Sequence, residues 1–205
     1  MAANDRPQIY LVTPPDFDPD AFSATLAAVL DTVDVACIRL AMSSKDADQI
    51  GRAADALRLV AHDRDVALVI DSHLRLVERH GLDGVHLADG ARNLREARKA
   101  LGADAIVGAF CGTSRHDGMT AAEAGADYIS FGPAGGLLGA GALAERDLFA
   151  WWSEMIEVPV VAEGGITRDL LAGLAPVTDF LAVGDEIWGK DNPASALRDL
   201  VAGLG

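Results

Sequence analysis

The sequence predicts an α/β fold in which eight parallel strands, each followed by a helix, form a single (β/α)8 barrel, the TIM-barrel architecture. Eight short apolar segments alternate with amphipathic segments at nearly regular spacing along 205 residues, which is the unit count of such a barrel. The apolar segments are rich in Val, Ile and Leu and lack polar alternation, as expected for strands covered on both faces. No linker, low-complexity tract or charge block interrupts the pattern, so residues 1–205 are predicted to form one domain.

The strands are predicted from these apolar runs, in chain order, at 8–13 (QIYLVT), 35–41 (VACIRLA), 66–71 (VALVID), 84–88 (GVHLA), 105–111 (AIVGAFC), 128–132 (YISFG), 158–163 (VPVVAE) and 180–185 (FLAVGD). A doubly wound open sheet also alternates strands and helices, but a glycine fingerprint usually follows its first strand. Here the first strand leads into TPPDFDPDAF, which lacks that fingerprint. The closed barrel is therefore favoured over the open sheet.

The clearest helical patterns between the strands lie at 46–63, 93–102 and 147–157. A last helix is predicted over 192–205, because Asn192 is a suitable N-cap and Pro193 suits the first helical turn. Trp151 and Trp152 lie side by side on the helix at 147–157. This aromatic pair either packs on the barrel or forms a contact in a homo-oligomer.

Composition limits the class of partner. The chain has 17 Lys and Arg against 31 Asp and Glu, a formal net charge of −14, which argues against binding to nucleic acid or to an anionic membrane surface. No apolar run approaches the ~20 residues needed to cross a bilayer, and the first residues do not resemble a signal peptide. Cys37 and Cys111 form neither a zinc nor a disulfide pattern. We therefore expect a cytoplasmic protein with a small-molecule ligand.

Active sites of such barrels lie on the loops after the C-terminal ends of the strands. After the seventh predicted strand, Gly164 and Gly165 leave the turn without side chains, so that main-chain N–H groups can face an anion. In many barrels a phosphate binds in the loops after strands seven and eight. The alternative is that both glycines only satisfy the dihedral angles of a tight turn. Glu163 and Asp185 lie beside this turn, and their carboxylates would repel a phosphate unless a cation lies between them.

Five segments in order carry a family resemblance: 9–13 (IYLVT), 81–89 (GLDGVHLAD), 122–133 (AEAGADYISFGP), 158–167 (VPVVAEGGIT) and 181–189 (LAVGDEIWG). On these segments the chain resembles the thiamine phosphate synthase/TenI family over nearly its whole length. The resemblance implies a barrel that acts in thiamine biosynthesis. The synthase is a transferase that joins hydroxymethylpyrimidine diphosphate to a thiazole phosphate, with Mg²⁺ on the diphosphate. TenI-type relatives isomerise the thiazole phosphate by proton transfer.

The resemblance also implies where diphosphate and Mg²⁺ would bind. Arg39 stands at the Gln of the family's QLREK segment, whose Arg and Lys are replaced here by Ala41 and Ser43. Asp71 and Asp89 end neighbouring predicted strands and are the candidate ligands of an altered Mg²⁺ site; alternatively, both only cap loops or helices. The loop at 133–145 has no hydroxyl or cationic side chain where the family has both. Because most diphosphate- and Mg²⁺-binding residues are replaced, the sequence argues against ordinary synthase activity.

Two residues are candidates for catalysis, His86 and Arg39. The resemblance places a His at position 86 on the fourth strand, where it either transfers a proton or is a core histidine hydrogen-bonded to a neighbouring strand. The candidates for binding substrate or phosphate are Arg39, Gly132, Gly164, Gly165, Gly184 and Asp185. The sequence thus predicts a thiamine phosphate synthase/TenI-like protein, either a synthase or an isomerase, that handles thiazole phosphate. The alternative is a diverged enzyme or a non-catalytic binding protein for another small ligand, cationic or metal-bound.

Overall fold

Eight parallel strands close into a barrel in the computed structural model, which describes residues 6–136 and 142–204. Strand order follows the chain, and the last strand pairs with the first. The strands are β1 Gln8–Val12, β2 Val35–Leu40, β3 Ala67–Asp71, β4 Gly84–Leu87, β5 Ile106–Phe110, β6 Tyr128–Phe131, β7 Val160–Glu163 and β8 Phe180–Val183. Every predicted strand overlaps one of these, so the predicted barrel is confirmed.

Helices connect the strands and surround the barrel: α1 Pro19–Leu30, α2 Ala47–His62, α3 Leu74–His80, α4 Leu94–Leu101, α5 Arg115–Glu123, α6 Arg146–Met155, α7 Arg168–Leu174, α8 Asp185–Trp188 and α9 Pro193–Val201. Short 3₁₀ turns follow α7 and α9. None of the helices that the structure describes is long and apolar enough to span a membrane. The predicted one-domain extent, 1–205, and part of the loop at 133–145 include positions outside the described residues, and the extent stays a prediction.

Two predicted helices end earlier than expected. The helix predicted at 147–157 stops at Met155 because Ile156 has an extended backbone, with φ −128° and ψ 131°, that leads towards β7. The helix predicted at 192–205 is confirmed at its start, where the Asn192 side chain accepts a hydrogen bond from the Ser195 N–H at 3.0 Å. It ends at Val201 and continues as a 3₁₀ turn.

Strand side chains that point outwards form the main hydrophobic core with the helices, while those that point inwards fill the barrel. Below the C-terminal ends of the strands, the barrel interior is filled by a second apolar cluster: Tyr10, Cys37, Val69, Tyr128, Val161 and Ala182. Gly108 on β5 makes room for the largest of these, because a Cβ at that position would lie 2.0 Å from the Tyr128 ring. The floor of the barrel is therefore aromatic and the polar side chains stand above it.

The pair Trp151–Trp152 is divided between core and surface. Trp152 is completely buried, stacks edge-on against Phe131, and donates from its indole nitrogen to the Val158 carbonyl at 2.8 Å. Trp151 is half-buried, with the Arg115 guanidinium 4.7 Å from its ring centroid. Trp152 thus packs on the barrel, which was one of the two alternatives for this pair.

The seam between the first and last strands is closed by a side chain as well as by the strand pairing. The Trp188 indole nitrogen, at the end of α8, donates to the Val12 carbonyl at 2.6 Å across 176 positions of sequence. Its ring also meets Phe22 of α1 edge-on, with 4.9 Å between ring centroids. The loop after β8 is thereby tied to the end of β1 and to the first helix.

Candidate active site

A cavity of about 300 Å³ opens at the C-terminal ends of β1, β2, β7 and β8; we call it the rim pocket. Its walls bring together five of the predicted site residues, Arg39, Gly164, Gly165, Gly184 and Asp185, with Glu163 and Glu186. The other predicted residues, His86, Gly132, Asp71 and Asp89, are not among those that line it. The closed sheet explains the grouping, because residues far apart in sequence meet at the carboxyl edge of a barrel.

Arg39 and Glu163 form an ion pair across this pocket. The guanidinium Nη1 lies 3.0 Å from Oε2 of Glu163, and Nη2 lies 3.4 Å from Oε1. Arg39 is only 8% exposed. Burial acts to lower the pKa of the guanidinium, but the Glu163 carboxylate together with the phenol groups of Tyr10 and Tyr128 outweighs burial, so the pKa of Arg39 is raised above its usual value. The charge of Arg39 is therefore already balanced within the protein.

His86 supports this arginine from below. Its Nε2 lies 2.6 Å from Nη1 of Arg39, and its Nδ1 lies 2.8 Å from the hydroxyl oxygen of Tyr128. A guanidinium only donates, so Nε2 accepts and the ring proton sits on Nδ1. Burial, together with the charge of Arg39, holds the pKa of His86 well below its usual value. Both ring nitrogens of a neutral imidazole are thus occupied inside the barrel.

The chain of hydrogen bonds continues to the barrel floor through Tyr128 and Tyr10, whose hydroxyl oxygens are 2.8 Å apart. Burial raises the pKa of both phenols well above the usual value. Nε of Arg39 and Oγ of Ser130 on β6 are among the buried polar atoms that have no partner within the described residues. Neither tyrosine was predicted from the sequence as a site residue. Their inward positions follow only from the alternation of side chains along β1 and β6.

Glycine is required in the turn after β7. Gly164 and Gly165 have φ values of 81° and 70°. Residues with a Cβ atom rarely adopt such positive φ values, whereas glycine adopts them readily. A Cβ on Gly165 would also lie 3.0 Å from main-chain atoms of Gly135. Gly132, at the end of β6, packs against the same strand end, because a Cβ there would lie 2.5 Å from the Glu163 carbonyl oxygen. The glycines therefore let main-chain segments approach one another, and two of them also line the rim pocket.

Glu186 is a further residue of the site that was not predicted from the sequence. Its Oε1 accepts a hydrogen bond from the Ile166 N–H at 2.9 Å, and its Oε2 accepts one from the Gly184 N–H at 2.7 Å. The carboxylate thus bridges the loops after β7 and β8, where the sequence predicts a phosphate. A signal existed in the sequence: Glu186 lies two residues beyond Gly184, within the short helix that follows the last strand.

The two predicted Mg²⁺ ligands have separate surroundings. Asp71 accepts a hydrogen bond from the Ser72 hydroxyl at 3.0 Å. Burial raises the pKa of the Asp71 carboxyl, and Arg39 only partly opposes the shift. Asp89 accepts from the Asn93 side chain at 2.8 Å and lines a different cavity of about 630 Å³ between the loops after β4 and β5. Among the described residues there is no group of three or more His, Cys, Asp or Glu suited to a metal ion. Asp71 and Asp89 therefore have different hydrogen-bond partners, and an Mg²⁺ site built on these two carboxylates stays a prediction.

Comparisons with known proteins agree on one family. The family model described as thiamine monophosphate synthase matches residues 9–187. A thiamine-phosphate synthase of Rhodospirillum centenum is 44% identical over 94% of this chain and 95% of its own length. One of Erythrobacter litoralis is 36% identical over 95% of each chain.

A solved structure described as thiamine phosphate pyrophosphorylase from Pyrococcus furiosus superposes with a TM-score of 0.82, at 21% identity and with 97% of both chains covered. That structure supports the barrel fold, while the relatives and the family model cover nearly the whole sequence. The chain therefore belongs to the thiamine monophosphate synthase family.

Proposed function

We propose that this protein acts in thiamine biosynthesis by binding a thiazole phosphate in the rim pocket, with the phosphate at the main chain after β7 and β8. The observation that carries the proposal is the convergence of the Ile166 and Gly184 N–H groups on one carboxylate. Two donors from separate loops that hold two oxygens of one anion have the arrangement that a phosphate monoester requires. Gly164 and Gly165 leave space beside them.

Condensation with a pyrimidine diphosphate is a separate part of the proposal. The relatives named thiamine-phosphate synthases support a transferase. In this chain, however, Arg39 is the cation that lines the rim pocket among the described residues, and Glu163 already balances it. A diphosphate would need Mg²⁺ to reduce its charge, and in the described part of the chain no group of three or more His, Cys, Asp or Glu side chains is arranged to hold that ion. We therefore propose that ordinary synthase turnover is slow or absent.

The proposed role of His86 is to orient Arg39. An isomerase needs a group that accepts a proton from the ligand within hydrogen-bond reach. His86 is 2% exposed, and both of its ring nitrogens have partners within the protein. It therefore acts through Arg39, and through Arg39 it fixes the position of Glu163. The cytoplasmic location and the oligomeric state stay predictions.

Ligand binding and turnover can be tested together. Thiazole phosphate at millimolar concentration should raise the melting temperature by mass action, and it should do so more than inorganic phosphate at equal concentration. Incubation with thiazole phosphate, hydroxymethylpyrimidine diphosphate and Mg²⁺ should give little thiamine phosphate relative to a synthase measured in parallel. The absence of a melting shift with thiazole phosphate would contradict the proposed ligand. A shift with Mg²⁺ or a small amine instead would favour a different, cationic ligand.

A further inference from the structure

We propose that Glu186 is a specificity-determining residue of the rim pocket: its carboxylate fills the phosphate subsite, and a ligand phosphate binds only by displacing it. The inference rests on the proposed function, because it assumes that the rim pocket is the ligand site. The new element is that a side chain of the protein, Glu186, competes with the ligand phosphate for the same N–H groups. A ligand with an uncharged end enters while Glu186 stays in place, whereas a phosphate monoester must replace it.

The first support is the hydrogen bonding of the carboxylate. Both of its oxygens are used, one on the Ile166 N–H at 2.9 Å and one on the Gly184 N–H at 2.7 Å. These donors belong to loops after two neighbouring strands, so one small anion can join them only at this place. The two N–H groups therefore form an anion subsite that the Glu186 carboxylate already fills.

The second support is access. Glu186 is half-buried and lines the rim pocket, so its side chain has room to turn out towards solvent. Gly164 and Gly165 line the same pocket and carry no side chains. When the carboxylate leaves, the Ile166 and Gly184 N–H groups face the pocket and are available to a ligand.

Arg39 adds an observation that is independent of Glu186. Arg39 is only 8% exposed and lines the rim pocket, and its Nε is among the buried polar atoms without a partner in the described part of the chain. Its two terminal nitrogens are engaged by Glu163 and His86. Nε is thus a buried donor on the residue that forms the polar wall of the pocket, and a buried donor of this kind is normally satisfied by an ordered water or a ligand oxygen.

Charge gives the direction of the effect. Within the rim pocket, Glu163 balances Arg39, which leaves Asp185 and Glu186 as uncompensated carboxylates among its described lining residues. A phosphate that approaches Glu186 meets like charge and also finds the two N–H groups taken. Removal of the Glu186 carboxylate should therefore tighten phosphate binding, and it should leave the binding of an uncharged thiazole alcohol nearly unchanged.

The test compares the wild-type protein with Glu186→Ala, Glu186→Gln and the matched control Glu157→Gln. Glu157 is exposed and precedes β7 at the opposite end of the barrel, so its substitution makes the same change in net charge far from the pocket. Inorganic phosphate, thiazole phosphate and thiazole alcohol are each titrated by calorimetry. The amide signals of Ile166 and Gly184 are followed by NMR during the phosphate titration.

We expect Glu186→Ala to bind inorganic phosphate and thiazole phosphate at least tenfold more tightly than wild type, with the Ile166 and Gly184 amides shifting at correspondingly lower phosphate concentration. Glu186→Gln should fall between the two, because its amide oxygen still accepts one hydrogen bond. If Glu186→Ala does not fold, Glu186→Gln alone decides, and tightening of about threefold or more supports the proposal. Unchanged or weaker phosphate binding in a folded Glu186 variant, or equal tightening in Glu157→Gln, would overturn it.

The same titrations separate this inference from the proposed function. If the Glu186 variants bind inorganic phosphate more tightly but no protein prefers thiazole phosphate over inorganic phosphate, the competitor is real and the thiazole ligand is wrong. If thiazole phosphate binds in every protein with the same affinity, the thiazole ligand stands and the role of Glu186 is wrong.

Discussion

Arg39 on β2 and Glu163 at the end of β7 form a two-point ion pair across the mouth of the barrel, with Nη1–Oε2 at 3.0 Å and Nη2–Oε1 at 3.4 Å. Their strands are not neighbours, because β1 and β8 lie between them in the ring. The pair therefore links two sides of the barrel where no main-chain pairing does. It also fixes a carboxylate at the wall of the rim pocket, so stability and ligand binding depend on the same contact.

Glu163→Gln should destabilise the protein by about 2–3 kcal/mol, because it removes the balancing charge from a buried guanidinium while keeping one hydrogen-bond acceptor. The measurement is the free energy of unfolding from urea denaturation at neutral pH. Glu154→Gln, an exposed change on α6, should stay within about 0.5 kcal/mol of wild type. Equal effects of the two substitutions would show that the ion pair contributes nothing to stability.

His86 should make the protein acid-sensitive. Its pKa in the folded state is lowered by burial and by Arg39, so folding favours the neutral ring. The stability that depends on the neutral ring is present above the unfolded-state pKa of about 6.5 and is lost as pH falls below it, by at most about 1.4 kcal/mol per pH unit. His86→Gln can accept from Arg39 and donate to Tyr128 without titrating.

The check is the melting temperature of both proteins between pH 8 and pH 5. The wild-type curve should fall more steeply below pH 6.5 than that of His86→Gln, and the difference between the two should be constant above pH 7.5. Parallel curves across the whole range would mean that His86 protonates without opposition in the folded protein.

Asp71→Asn should raise stability at neutral pH. Burial raises the folded-state pKa of this carboxyl, so its ionisation opposes folding. The penalty is absent at pH values below the unfolded-state pKa of about 3.9, grows as pH rises through the folded-state pKa, and stays constant above it. The melting temperature of Asp71→Asn should exceed that of wild type at pH 7, and the gap should close towards pH 3.5. Asp104→Asn, an exposed loop change, should show no such pH-dependent gap.

Gly165→Ala and Gly173→Ala should move stability in opposite directions. Gly165 has a φ of 70°, and a Cβ there would press on Gly135, so alanine should cost about 1–3 kcal/mol. Gly173 lies within α7 and has open space around its Cβ position, so alanine should stabilise by about 0.5–1 kcal/mol. Urea denaturation measures both. Tolerance of alanine at position 165 would show that this turn adapts to a side chain.

The barrel was predictable because its strands are apolar runs of regular length and spacing, and burial on both faces leaves little else for such runs to form. The rim position of Arg39, Gly164 and Gly184 followed from the same rule. The Arg39–Glu163 pair was not predictable in the same way. Its partners are 124 positions apart, and only closure of the ring determines that they face each other.

Side-chain direction explains where the site differed from expectation. Asp89 was one of two candidate Mg²⁺ ligands with Asp71, but its carboxylate accepts from Asn93 and lines another cavity. It lies in the turn after β4, two residues beyond Leu87, where strand alternation no longer determines the direction of a side chain. Glu186 was not predicted because the sequence does not determine the side-chain direction of a residue that lies beyond the end of a strand. Its side chain returns to the strand end only because two main-chain donors are there to receive it.

The contact between Trp188 and the Val12 carbonyl spans 176 positions. The fluorescence of Trp188 can therefore report closure of the barrel. Contacts between distant parts of the chain carry a large loop-closure entropy, so we expect this one to form after the local strand–helix units during folding. The environment of this indole should therefore become native only when β8 pairs with β1 and the barrel closes. Replacing Trp151 and Trp152 by phenylalanine would leave Trp188 as the one tryptophan, and the change in its fluorescence would then give the rate of barrel closure.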